Sequence, residues 1–345
     1  MRLLVSRTPV RLSMGGGGTD VAAYYEQYGG FWTSAAISKY VYVTVNSRHD
    51  NSFVIKHSKE TQVVDSIDDI THDIIRESLR FLRFDKWENP LFNTRGLEMN
   101  IISDVQGKSG LGVSGAITVG FLHILHTLKG DTTVSQQQLA EEAYHVEHDL
   151  SGSSSTGKQD QYIATHGGIT SFTVDTDGVV EAKPLKLSRH TLSELEDNIV
   201  LFGTRLVREE TADEALRHVA EKLRDKKKES STVEYLNQIM QIGMQQRDAL
   251  LAGDPDIFGQ LLDEHWEMKK KYSGETNPAI SDAYNLAKEA GALGGKVIGA
   301  STQGAYMMFY CVEGKDKLRP IMDELNMIEI PWTFEFDGSR IIHYS

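Results

Sequence analysis

Residues 103–130 read SDVQGKSGLGVSGAITVGFLHILHTLKG, a glycine- and serine-rich turn that runs straight into an apolar segment. From Val113 to Leu128 the apolar residues Val113, Ala116, Ile117, Val119, Phe121, Leu122, Ile124, Leu125 and Leu128 leave no clean polar face. That spacing predicts a helix buried nearly all round. Gly110 and Gly112 allow backbone angles closed to other residues and a close approach of the main chain to a ligand. Unpaired N–H groups at the start of a buried helix, together with the positive end of its dipole, make an anion site. Two readings stay open on this stretch alone: a phosphate-binding turn, or a tight turn that only leads into a core helix.

The rest of the chain sets the context. With 345 residues the chain exceeds what one hydrophobic core usually serves, so two domains are expected. The 36 Lys and Arg against 49 Asp and Glu give a formal net charge of −13, which argues against a nucleic-acid partner. Any positive potential for a phosphate must therefore be local. The single cysteine, Cys311, excludes an internal disulfide and fits a reducing compartment. The N-terminal MRLLVSRTPVRLS has no continuous apolar run of the secretory kind. The longest apolar run, 115–128, is too short to span a bilayer and contains His123 and His126. The expectation is a cytoplasmic protein with no membrane partner.

Residues 2–14 read as a strand ending at Gly15-Gly16-Gly17-Gly18-Thr19-Asp20. Four consecutive glycines are entropically costly unless a ligand or another backbone comes close. Asp20 is either the N-cap of a helix over 21–28 or a ligand group at the mouth of the turn. Segments 31–48 and 52–57 read as strands of an antiparallel meander, HDIIRESLRFLRF as a helix, and LEMNII as a strand. A helix is predicted over 133–150: Ser135 and Gln138 match a capping box, and Leu139, Ala143, Val146 and Leu150 form one stripe. Glu147 borders that stripe; by itself it reads as a solvated acid among Glu141, Glu142 and Asp149. SGSSSTGKQDQYIATHGG, residues 151–168, is polar and glycine-punctuated and reads as a loop before a helix ended by Gly167-Gly168, then a hairpin turning at Asp177-Gly178. Beyond residue 187 the pattern becomes mostly helical (189–196, 211–227, 231–252, 255–272, 279–290), broken by a strand at 198–204. These features divide the chain into domains 1–190 and 191–345.

Two local patterns are set aside. GSSSTGKQ at 152–159 nearly matches a Walker A loop, but Gln159 stands where a magnesium-binding hydroxyl belongs and a helix precedes the segment. His145 and His148 lack both the H-E-x-x-H spacing and a third ligand, and His123 and His126 read as core histidines.

Three glycine-bearing stretches stand in order: RLSMGGGGTD (11–20), SGLGVSGA (109–116) and GGKVIGASTQG (294–304). They resemble the three motifs of the GHMP small-molecule kinases. Within that superfamily, TPVRLSMGGGGTD, GKQDQY, EAGALGGKVIGA and HWEMKKKYS are most similar to D-glycero-D-manno-heptose 7-phosphate kinases. The resemblance implies an α+β fold, with an N-terminal domain like ribosomal protein S5 domain 2 and a ferredoxin-like C-terminal domain. It implies ATP and Mg2+ as cofactors and a sugar phosphate as the acceptor, phosphorylated at its anomeric hydroxyl. Carried over residue by residue, Lys108, Ser109, Gly110, Leu111, Gly112, Val113 and Ser114 would form the ATP phosphate loop. Ser114 and Glu147 would hold magnesium, which revises the solvated reading of Glu147. Asp160 would be the catalytic base and Arg11 the basic residue that pairs with it. Gly17, Gly18, Thr19 and Asp20, with Gly299 and Ser301, would face the sugar.

This copy departs from the family pattern. Val113 replaces the first serine of GLGSS, Gly115 follows Ser114, and Ser301, Thr302 and Gln303 stand where the third motif usually has glycines. Their side chains are expected to reshape the substrate pocket. The run Lys269-Lys270-Lys271 reads as a solvated helix end, with a substrate phosphate as the other reading. Two alternatives to the heptose phosphate follow: a GHMP kinase for a fucose- or galactose-type sugar, and a non-catalytic regulator that binds sugar or ATP.

Overall fold

The computed structural model describes residues 3–57, 60–89, 93–206, 211–225 and 229–344. The first half of the chain runs β1 (Leu3–Gly15), α1 (Ala22–Tyr28), β2 (Gly30–Ser47), β3 (Phe53–His57), β4 (Glu60–Val64), α2 (Asp73–Phe81), β5 (Leu97–Ser103), α3 (Val113–Leu128), α4 (Gln136–His145), α5 (Gln159–His166), β6 (Ile169–Val174) and β7 (Val180–Pro184). The second runs α6 (Arg189–Asn198), β8 (Ile199–Gly203), α7 (Ala212–Arg224), α8 (Glu229–Ala252), α9 (Pro255–Ser273), α10 (Pro278–Glu289), β9 (Gly294–Val297), β10 (Tyr306–Tyr310), α11 (Lys315–Glu324), β11 (Ile328–Glu329) and β12 (Arg340–Tyr344).

Long strand β2 organises the larger sheet. Its residues Thr33 to Asn46 pair with β1, Gly30 to Ala35 with β6, and Val41 to Ser47 with β5. The path β12-β1-β2-β5-β3-β4 then completes eight strands together with β6 and β7. The expected meander is corrected here: β5 lies between β2 and β3, and β3 runs parallel to it. The register of β1 against β2 shifts between Pro9 and Val10, where proline removes a ladder donor. The smaller sheet has the order β11-β8-β10-β9, all antiparallel. With helices between β8 and β9 and α11 between β10 and β11, this is the β-α-β-β-α-β order of a ferredoxin-like unit. The α+β expectation holds in both halves.

Helix α3 covers the segment predicted for it, and only Ser114, Ile117 and His123 along it are not buried. The 133–150 prediction needs correction. Ser135 caps α4 by accepting from the Gln138 N–H, but the α-helix ends at His145 and a π-helical turn follows over Val146–Leu150. The wider turn shifts the phase of the buried stripe. Leu150 is left 38% exposed, while Glu147 turns inward at 3%.

Candidate active site

The strands and helices that carry the singled-out residues meet around one cavity of about 320 Å³. Arg11 comes from the buried face of β1 and Asp160 from the first turn of α5. Arg11 Nε and Nη2 lie 2.8 and 2.6 Å from Asp160 Oδ1, and Nη1 donates to the Gly110 carbonyl. The turn at Gly110 and Gly112 closes over this pair. A Cβ on Gly112 would come within 3.1 Å of Asp160 Cγ and 3.3 Å of Arg11 Cγ. Gly112 itself holds φ 80 and ψ 32 as the residue before α3, a left-handed geometry that glycine adopts without strain.

Gly115, one of the departures from the family pattern, has a steric reason. A Cβ there would stand 2.7 Å from Asp160 Cβ, so the glycine lets α5 bring its acid against the start of α3.

Asp20 is buried, and its two oxygens accept from Gly18 N at 2.9 Å and Gln159 N at 3.0 Å. It therefore satisfies the first N–H of α5. The reading of Asp20 as N-cap of the helix over 21–28 is overturned: Val21 occupies that position and no side chain caps α1. Burial pushes the Asp20 carboxyl above its ordinary value, against the lowering effect of its two main-chain donors.

Glu147 lies behind Ser114. Thr118 Oγ1 donates to its Oε1 at 2.7 Å, and Gln161 and Ser114 also donate to it. Burial pushes this carboxyl up to about 7 despite those hydrogen bonds, and the Asp160 charge adds to the rise. A buried acid with donors around it and another acid acting on it is a site that a cation completes. The donor set, one exposed hydroxyl and one carboxylate, suits a hard divalent ion that keeps phosphate and water ligands.

Gly17, Gly18, Lys108, Ser109, Gly110, Val113, Ser114 and Gly299 line the cavity with Arg11, Asp20, Gly112 and Asp160. Four residues singled out from the sequence do not. Thr19 is buried against the Gly16 and Phe31 carbonyls, and Leu111 is a core residue whose carbonyl accepts from Arg11 N at 2.9 Å. Ser301 is buried and accepts from Gln303 N at 3.0 Å. Glu147 is screened by Ser114.

The expectation that Ser301, Thr302 and Gln303 reshape the pocket is likewise corrected. Thr302 Oγ1 and Gln303 Nε2 donate to the Glu275 carbonyl at 3.0 and 2.6 Å, and of this stretch Gly299 and Ala300 line the cavity.

Sequence reasoning gave no place in the site to Lys296, His265, Tyr272 and His72, and weighed Gln159 only against a Walker A loop, yet all five line the cavity. It also misread Lys269, which is buried and donates to the Val297 and Gly299 carbonyls at 3.0 and 2.5 Å. A signal for Lys269 was present: Phe258, Leu262, His265, Lys269 and Tyr272 recur at helical spacing on the buried face of α9.

An N–H-rich turn, an acid paired with an arginine, and a hydroxyl–carboxylate pair are together the kinds of group that phosphoryl transfer can use. Residues 74–168 match the GHMP kinases N terminal domain and residues 246–326 match the GHMP kinases C terminal domain. The chain belongs to the GHMP kinases.

It is 31% identical over 321 residues, 90% of each chain, to a D-glycero-alpha-D-manno-heptose 7-phosphate kinase of Campylobacter jejuni. Among solved structures it is similar to a D-glycero-D-manno-heptose 1-phosphate kinase from Bacteriodes thetaiotaomicron, with TM-score 0.77 and 27% identity over 99% of both chains. Galactokinase from Lactococcus lactis shares the fold at TM-score 0.71 and 17% identity, covering 98% of this chain and 95% of that one. Among the described residues no helix is long and apolar enough to cross a membrane.

Proposed function

We propose that the chain transfers the γ-phosphoryl group of ATP to the anomeric hydroxyl of a heptose 7-phosphate, D-glycero-D-manno-heptose 7-phosphate, giving the 1,7-bisphosphate and ADP. The observation that carries this reading is the Arg11–Asp160 pair, held against the phosphate turn at Gly110 and Gly112.

The main-chain N–H groups from Lys108 to Ser114 cradle the ATP phosphates, reinforced by the start of α3. Ser114 and Glu147 would hold Mg2+, which supplies neutralisation of phosphate charge when bound. Asp160 accepts the proton of the attacking hydroxyl, and Arg11 fixes the carboxylate by gripping Oδ1 while anchoring the turn through Gly110. Asp20, braced by Gly18 and Gln159, presents its acceptors to sugar hydroxyls beside Gly17. Positioning and charge neutralisation dominate this class of reaction, so the set is sufficient.

On this reading residues 1–190 form the domain that holds nucleotide and base, and residues 191–345 the domain that closes the acceptor side through Gly299. ADP release measured across a panel of heptose 7-phosphate, heptose, fucose and galactose tests the reading. Turnover of fucose or galactose in preference to the heptose phosphate refutes the substrate, and no release with any sugar despite ATP binding refutes the enzyme.

A further inference from the structure

The side of the cavity built by the second half of the chain carries a cluster the proposed chemistry does not use. His265 and Lys269 lie on α9 and Lys296 on β9; all three line the cavity, and they are 2%, 4% and 2% exposed. The charges that act on Lys296 and His265 are positive: Arg11 on Lys296, and Lys296 and Lys269 on His265. Among the described residues Lys296 Nζ finds only a long contact, 3.4 Å to the Met14 carbonyl. His265 Nδ1 is buried without a hydrogen-bond partner among the described residues.

Lys158 shows how this fold treats a buried lysine elsewhere. Its ammonium lies 3.1 Å from Glu141 and 4.4 Å from the centre of the Tyr144 ring. Among the described residues no carboxylate acts in that way on Lys296. Burying like charges together is strongly unfavourable unless an opposite charge joins them.

We propose that Lys296, with His265 and Lys269, binds a phosphate group carried by the sugar acceptor, at a subsite distinct from the Gly110–Ser114 turn that takes the ATP phosphates. This rests on the sugar-kinase reading above and deepens it: the acceptor is a phosphorylated sugar because a neutral one leaves the buried Lys296 ammonium without an opposite charge and the buried His265 Nδ1 without a partner among the described residues. Burial, and then the Arg11 charge, hold the Lys296 ammonium down at about 7, so an arriving dianion restores its charge. Charge-assisted bonds to a phosphate in a desolvated site are the strong kind, and losing one lowers affinity by about 30-fold or more.

The test is calorimetric titration of the full chain with D-glycero-D-manno-heptose 7-phosphate and with the unphosphorylated heptose, in wild type, Lys296→Met and Lys296→Arg. The expected result is at least about 30-fold tighter binding of the phosphorylated sugar by wild type. Lys296→Met should lose most of that preference while its ATP affinity stays within threefold, and Lys296→Arg should restore part of it. His265→Asn, which removes no buried charge, repeats the measurement if Lys296→Met fails to bind ATP.

Equal binding of the two sugars by wild type, no binding of the heptose 7-phosphate, or an equal loss for both sugars in the variants overturns the subsite. Failure of the enzymatic reading appears separately, as absent ADP release, and the subsite stands if the phosphate preference persists without turnover.

Discussion

Replacing Glu147 by glutamine separates what its carboxylate costs the fold from what it gives the reaction. Its carboxyl is raised from 4.5 to about 7 in the folded chain, a difference worth about 3 kcal/mol. Below pH 4.5 the acid is protonated in both states and contributes nothing. Between 4.5 and 7 the folded chain holds the proton more tightly than the unfolded one, and above 7 both are ionised and the folded state bears the full penalty. Stability from this group is therefore lost as pH rises through that window.

The amide of Glu147→Gln cannot ionise and escapes the loss. It also fits: an acceptor remains for Thr118, and Gln161, whose Oε1 has no partner among the described residues, can turn its own amide to accept. Urea unfolding of the metal-free chain should show the variant within about 1 kcal/mol of wild type at pH 5 and about 3 kcal/mol more stable at pH 8. Asp20 is raised in both proteins and cancels in the difference. In the same preparation Mg2+-dependent ADP release should fall on the order of 100-fold or more, as an anionic metal ligand is lost. A stability gain that does not grow with pH refutes the burial argument, and turnover within threefold of wild type refutes the metal role.

Asp160→Asn should lower kcat by on the order of 10²–10⁴ with the ATP dissociation constant within threefold; single-turnover rates near wild type would remove Asp160 from the base role. Gly115→Ser places a Cβ 2.7 Å from Asp160 Cβ, so it should cost about 1–3 kcal/mol in urea unfolding and depress kcat at least tenfold, and an unaffected variant would show that α5 need not approach α3 so closely. Lys296 has the opposite linkage to Glu147: its lowered value of about 7 means the unfolded chain binds more protons between 7 and 10.5, so stability rises with pH there. Lys296→Met should accordingly be a few kcal/mol more stable than wild type at pH 7, with the gain fading by pH 10; a pH-independent difference would contradict the buried-ammonium reading.

What the sequence disclosed follows the range of the forces involved. Helix α3 was legible to its ends because its burial is continuous and Gly112 marks its start. The hairpin of β6 and β7 was legible because its turn residues are local. Strand β4 was not, since ETQVV is a largely exposed edge whose strand character comes from pairing with β3. The insertion of β5 between β2 and β3 joins residues some fifty positions apart in sequence, beyond any local signal.

Among the site residues, Asp20 was divided between two local roles, and its main-chain partner turned out to be Gln159, 139 residues away. Glu147 was misjudged by periodicity because a π turn changes the phase within one residue of it. Arg11, Asp160 and Ser114, which line one cavity, were singled out through motif resemblance, which preserves non-local geometry that periodicity does not encode. Lys296 sits in a four-residue strand, too short for alternation to reveal an inward-facing charge.

The altered third motif shows which of its glycines the geometry requires. Gly110 and Gly299 face each other backbone to backbone, at φ 80 and 89. A Cβ on Gly110 would stand 2.4 Å from the Ile298 carbonyl oxygen, and one on Gly299 would stand 2.6 Å from Gly110 Cα. The second half of the chain thus braces the Gly110–Ser114 turn through a contact that admits no side chain. Two positions later the requirement ends, because the chain has turned away and Ser301, Thr302 and Gln303 are occupied with one another and with Glu275. Lys269 then binds the same brace from behind, through the Val297 and Gly299 carbonyls. A motif that keeps glycine at 299 and spends polar side chains at 301–303 keeps its function of supporting the turn, so its departure from an all-glycine pattern is not evidence against catalysis.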